Sequence, residues 1–150
     1  MSNPKYVISA CLCGEATRYD GRAKPADSAL CALVERGEAV LVCPECMGGL
    51  PTPRPPAEIC GERVINTDGV DVTAQYRRGA EQTLEICRQY GIKTAILKQN
   101  SPSCGSCAVY DGTFSRTLVA GHGITAALLE ENGITVYDET NWQEKENASG

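Results

Sequence analysis

Apolar residues along this chain follow two rhythms. Short, nearly continuous apolar runs, namely KYVISA at residues 5–10, AVLVC at 39–43, TAIL at 94–97 and ITVY at 134–137, read as strands buried on both faces. Between them, apolar positions recur at steps of three and four. Leu30, Leu33 and Val34 share one face of residues 27–36, and Tyr76, Ala80, Leu84, Cys87 and Tyr90 share one face of residues 73–90. A third helix covers residues 124–132. Each helix ends at a glycine (Gly37, Gly91, Gly133), and Asp27 or Ser28 can cap the start of the first. The order β-α-β-α-β-α-β with right-handed crossovers predicts one α/β domain. It is a three-layer α/β/α sandwich around a small, mostly parallel, Rossmann-like sheet. Two stretches interrupt the rhythm. Residues 46–72 contain PTPRPP and read as a long, stiff loop with room for a short hairpin. Residues 108–123 contain YDGTFS and read as a second hairpin. The domain is expected to span residues 1–142, followed by a polar, disordered tail at 143–150.

Composition narrows the function classes. A chain of 150 residues buries ~70% of its unfolded surface, enough for a core without a staple. A net charge of −5 disfavours stable nucleic-acid binding and attachment to an anionic membrane. No apolar run approaches the ~18 residues of a membrane helix. The N-terminus MSNPKYVISACLC lacks the apolar core of a secretory signal, so a cytoplasmic, reducing location is expected. Against that background the chain carries nine cysteines and one histidine, His122. Cysteines in a reducing compartment are more often metal-binding, catalytic or buried than disulfide-bonded. A single histidine excludes sites that need two.

The cysteines are not scattered. Ligands of open α/β sheets bind beyond the carboxyl ends of the strands. Cys11 ends the first strand, Cys43 ends the second, and the third runs into Ser101 and Cys104. Each has a companion: Cys13, Cys46 and Cys107. Cys31 and Cys87 lie on apolar helix faces and read as core residues. Cys60, in the long loop, has no evident role. Four readings of the six stay open: a four-thiolate zinc site from CPEC and CGSC, a thioredoxin-like dithiol, an iron–sulfur cluster held from separate loops, or plain burial. The dithiol reading needs CPEC to open a helix, which GGLPTPRPP opposes. Pro44 and Pro102 hold Cys43 and Ser101 extended, while Gly14, Gly48, Gly49 and Gly105 permit close backbone approach.

Polar residues flank the same edge. Glu45, two residues past Cys43, is placed to move protons at the rim. Ser101 and Ser103 can donate hydrogen bonds to a cluster sulfur or to substrate. Arg18, Lys24 and Arg54 fall in loops that can form an anion pocket for substrate. Arg77 and Arg78 read as solvated. His122 is not assigned a role.

Taken together, SACLCG with RYDG and Lys24, CPECMGGLPTPRPPAEI, GVDVT, LKQNSPSCGS, YDGTFS and GHGITAALL resemble the bacterial thiouracil desulfidase family over residues 6–139. The resemblance implies a 4Fe–4S cluster held by three cysteines, Cys11, Cys43 and Cys104, with one open iron. It implies catalytic roles for Glu45 and Ser101, and the non-redox removal of sulfur from a thiolated uracil compound. On that reading the substrate sulfur binds the iron that no cysteine holds. A thiouracil or 4-thio-UMP leaves as the oxo pyrimidine plus hydrosulfide. The partner is then a small thiolated pyrimidine, and the oligomeric state stays open. The chain departs from the family pattern at Cys13, Cys46 and Cys107, each a conceivable fourth ligand, and at Arg116. A closed zinc site or an iron–sulfur redox sensor remain the rival classes.

Overall fold

The computed structural model describes residues 4–13, 27–98, 103–105, 108–110, 112–113 and 118–143. Its centre is a four-stranded sheet of β1 (Tyr6–Ser9), β2 (Ala39–Val42), β5 (Thr94–Leu97) and β8 (Thr135–Asp138), in the order β2-β1-β5-β8. Every pairing is parallel, with Tyr6 opposite both Ala39 and Thr94, and Thr94 opposite Thr135. Among the described residues, four α-helices accompany it: α1 (Ser28–Glu35), α2 (Pro44–Met47), α3 (Thr73–Tyr90) and α4 (Ile124–Glu131). Two antiparallel hairpins stand apart from the main sheet. They are β3 (Ala57–Cys60) with β4 (Arg63–Asn66), and β6 (Ala108–Tyr110) with β7 (Leu118–Ala120).

The two-residue alternation of the strands sends side chains to two cores. Val7, Val42, Ala95 and Leu97 pack with Leu84 and Cys87 of α3 and with Ala126 and Leu129 of α4. Ile8 and Ile96 face the other way, onto Leu30 and Leu33 of α1 and onto Trp142. The sheet is therefore covered on both sides, as its uninterrupted apolar strands predict. Tyr76 departs from the stripe that the sequence assigns to α3. It packs with Val64 and Val72 in a third cluster, against the β3–β4 hairpin.

Local signals set the helix ends where expected. Asp27 accepts hydrogen bonds from Ala29 N (3.0 Å) and Leu30 N (3.2 Å), so it, rather than Ser28, caps α1. Gly91 ends α3 in the left-handed conformation at φ 68°. Asp27→Ala should lower stability by ~1 kcal/mol, read as a shifted denaturant midpoint at constant slope.

One expectation fails. The segment after Cys43 is not wholly non-helical, because Pro44–Met47 forms a single helical turn. Pro44 at the first position has a φ already suited to a helix. Met47 N and Gly48 N reach back to the carbonyls of Cys43 and Pro44. The hairpin foreseen inside the long loop is present as β3–β4. It joins the second hairpin through the buried Glu58, whose Oε1 accepts from Gly112 N (3.0 Å), and through Cys60 Sγ, 3.5 Å from Gly112 O. Among the described residues no helix is long and apolar enough to cross a membrane.

Candidate functional site

Parallel pairing brings the cysteine-bearing ends of three strands together. β1 runs directly into a 3-10 turn, Ala10–Cys13, that holds Cys11. β2 delivers Cys43, and β5 leads toward the Ser103–Gly105 segment that holds Cys104. β1 is flanked by β2 and β5, and strands in a sheet lie ~4.8 Å apart, so the three ends span ~10 Å. The chain also reverses direction across the sheet between β1 and β5, the position where open α/β sheets leave a crevice.

Cys43 sits in extended conformation (φ −129°, ψ 96°) at the start of α2, as a residue before proline should. The turn it opens is pressed against α3. A Cβ on Gly48 would lie 1.9 Å from Gln75 O, and one on Gly79 would lie 1.8 Å from Pro44 O. Only glycine at both positions permits this contact, and the contact positions Cys43 and Glu45 over the sheet edge. The close approach expected of Gly48 is thus toward the backbone of α3. Arg78 supports the same joint by donating from Nη1 to Gly48 O at 3.3 Å, so it is not merely solvated.

Glu45 is held on several sides. Arg54 donates from Nε to Glu45 Oε2 at 2.8 Å, and its Nη2 lies 2.6 Å from the same oxygen. The two side chains are 6% and 13% exposed. The Tyr76 hydroxyl, almost wholly buried, bonds to the Glu45 carboxylate from α3. Burial and the neighbouring negative charge of Glu45 push the Tyr76 phenol well above its ordinary pKa, so it remains a donor. Burial acts to lower the Arg54 pKa, but the charge and hydrogen bonds of Glu45 outweigh it and raise the value. Cys46 Sγ lies 3.4 Å from Thr52 Oγ1 and 3.9 Å from Arg54 Nη1.

Cys104 is buried and equally constrained. Ser9 Oγ accepts from Lys98 N at 2.9 Å, which leaves its proton for the Cys104 sulfur, and Ser103 bonds to that sulfur as well. Ser103 itself is fully buried, its Oγ 2.7 Å from Thr125 Oγ1. Its carbonyl accepts from Thr125 N and Ala126 N at the start of α4. Gly123 makes the contact possible, since a Cβ there would meet Ser103 O at 2.5 Å. Ser103 therefore positions Cys104 through a sealed contact with α4.

Desolvation by burial pushes both Cys43 and Cys104 up to about 12, with the nearby charge of Glu45 acting in the same direction. Cys46 adds to the Cys43 shift, and Cys43 adds to that of Cys104. These thiols are neutral on their own and lose their protons on binding a soft metal centre. Among the described residues no three His, Cys, Asp or Glu side chains gather tightly enough to hold a single metal ion. A four-iron cluster makes a different demand, because each cysteine binds a different iron and the sulfurs stand further apart. Three soft donors on separate strand ends, with hydroxyl donors already aimed at the Cys104 sulfur, fit such a group.

Ser101, Arg18, Lys24, Cys107, Gly14 and Arg116 lie outside the described residues. Arg54, expected at the substrate, is turned onto Glu45. Cys13 packs among apolar residues on the α1 side of the sheet. Cys87 is core, as expected. His122 lies half-exposed near Glu130, 3.6 Å from Oε2. Sequence reasoning misses Tyr76, Ser9, Thr52 and Gly79. Ser9 carried a signal, as the last residue of the strand before Cys11. Tyr76 carried none, because its spacing matched a core stripe.

Known proteins agree with this architecture. The family model described as 2-thiouracil desulfurase matches residues 6–141. The uncharacterized protein YbbK of Bacillus subtilis (strain 168) is 41% identical over 143 residues, covering 89% of this chain and 94% of YbbK. The solved structure of TudS, a 4Fe–4S-dependent thiouracil desulfidase, superposes with a TM-score of 0.92 at 48% identity, covering 98% of both chains. The chain belongs to the 2-thiouracil desulfurase family.

Proposed function

We propose that this protein is a 4Fe–4S-dependent desulfidase that converts a thiolated uracil, either a thiouracil or 4-thio-UMP, to the oxo pyrimidine and hydrosulfide. The observation that carries the reading is the convergence of Cys11, Cys43 and Cys104 at one sheet edge with a largely covered carboxylate, Glu45, beside two of them. Those three cysteines would hold the cluster. When bound, it supplies an iron without a protein ligand, a Lewis acid with affinity for the thiocarbonyl sulfur.

The chain's own residues do the rest. Water replaces sulfur at the ring carbon, so no electrons are exchanged and the reaction is hydrolytic in its balance. Glu45 takes the proton of the attacking water. Ser101 orients the pyrimidine, and Arg18 and Lys24 meet an anionic group where the substrate carries one. Ser103 acts through Cys104, and Arg54 through Glu45. A small molecule is the partner, with neither a membrane nor a stable nucleic-acid complex required, and a reducing cytoplasm suits the thiolate ligands.

Anaerobic reconstitution followed by a sulfide-release assay on 2-thiouracil, 4-thiouracil and 4-thio-UMP tests this. Turnover should accompany bound iron and acid-labile sulfide, whereas zinc without labile sulfide rejects the reading. Glu45→Gln should keep the cluster and lower turnover ~10²–10⁴-fold, as loss of a general base does. Full turnover in that variant would remove Glu45 from the chemistry.

A further inference from the structure

We infer that Arg54 is a positioning residue that clamps the Glu45 carboxylate in its working orientation, with Tyr76 as a second anchor, and is not a ligand for a substrate phosphate. The inference rests on the reading of Glu45 as the proton-handling group.

The geometry gives every nitrogen of the guanidinium a partner inside the protein. Nε and Nη2 converge on Glu45 Oε2 at 2.8 and 2.6 Å. Nη1 donates to Thr52 Oγ1 at 3.0 Å and to Pro51 O at 3.2 Å. The planar fork of arginine suits this arrangement, with one edge on a carboxylate and the other braced by its own loop. Tyr76 reaches the same carboxylate from α3, so two separate elements of the fold hold one functional group.

Electrostatics explains why a clamp is needed. Glu45 follows Cys43 by two residues and also faces Cys104. Once those sulfurs are thiolates, like-charge repulsion drives a flexible carboxylate outward to water. Arg54 sets a cation against Glu45, Cys43 and Cys46 together. To bind a phosphate instead, it would have to leave a nearly buried ion pair and expose Glu45 to that repulsion.

The test compares Arg54→Gln, Arg54→Lys, Tyr76→Phe and Glu45→Gln in reconstituted protein, with iron and labile sulfide measured for each. Steady-state kinetics are run on both 4-thiouracil and 4-thio-UMP. Arg54→Gln should lose ~10²-fold in kcat on both substrates with KM little changed, the scale of a misplaced catalytic group. Arg54→Lys should recover part of that loss. Tyr76→Phe should lower kcat on both substrates to a smaller extent. Adding Arg54→Gln to Glu45→Gln should cost nothing further, because a clamp without its carboxylate has no work left. A rise in KM confined to 4-thio-UMP, with kcat intact, makes Arg54 a phosphate ligand and overturns the inference. So does wild-type kcat in Arg54→Gln. Should Arg54→Gln fail to hold its cluster, Thr52→Val, which removes only the brace, decides by the same kcat criterion. An inactive Glu45→Gln beside a fully active Arg54→Gln sinks the clamp alone. A fully active Glu45→Gln sinks the functional reading beneath it.

Discussion

Replacing Cys104 with serine is expected to leave the anaerobically reconstituted protein without bound iron or labile sulfide, and without measurable sulfide release from thiouracil. Serine keeps the shape of the side chain but offers a hard oxygen where soft iron requires a thiolate. The site cannot compensate, because Cys104 is buried on a segment fixed by Ser9, Ser103 and the start of α4. Cys11→Ser and Cys43→Ser should behave alike. Cys13→Ser and Cys46→Ser should retain the cluster. Cys13 packs into the core on the α1 side, and the Cys46 sulfur lies against Thr52. Iron and sulfide analysis with the cluster's visible absorbance reads these five variants and Cys107→Ser. Retention of the cluster in Cys104→Ser, with loss in Cys46→Ser or Cys107→Ser, would overturn the ligand assignment.

The second large effect involves no reactive group. Gly79→Ala should destabilise the fold by ~3 kcal/mol or more, the upper range for forcing extra volume into a packed contact. Its Cβ would stand 1.8 Å from Pro44 O, and backbone rather than a movable side chain is what it meets. The α2 turn must lift away from α3, and Cys43 and Glu45 move with it. Activity should therefore fall further than the lost stability accounts for, even in the fraction that remains folded and loaded. Denaturant unfolding combined with iron content and kcat separates these effects. Gly48→Ala attacks the same contact from the other side, with its Cβ 1.9 Å from Gln75 O, and should match it. Wild-type stability in either variant would show that the contact relaxes freely.

The helices and central strands were legible because their signals are local. A two-residue or three-to-four-residue apolar rhythm, an Asp27 cap and a Gly91 stop act within one turn of the chain. The one-turn helix α2 was not legible, since its stability comes from the Gly48–Gly79 contact and not from propensity. Tyr76 illustrates the same limit. Its spacing on α3 is that of a core residue, yet its hydroxyl serves Glu45.

The sequence by itself determined the α/β class, the helix limits and the presence of three cysteines at strand ends, together with motifs specific enough to name a family. All of these depend on residue type and on spacing along the chain. Only the tertiary structure decided that β1 lies between β2 and β5, which brings those cysteines to one edge. It also decided that Arg54 faces Glu45, and that Ser103 is sealed against α4. Strand order and side-chain partners depend on which surfaces meet after the chain has folded back on itself, and no local period encodes that.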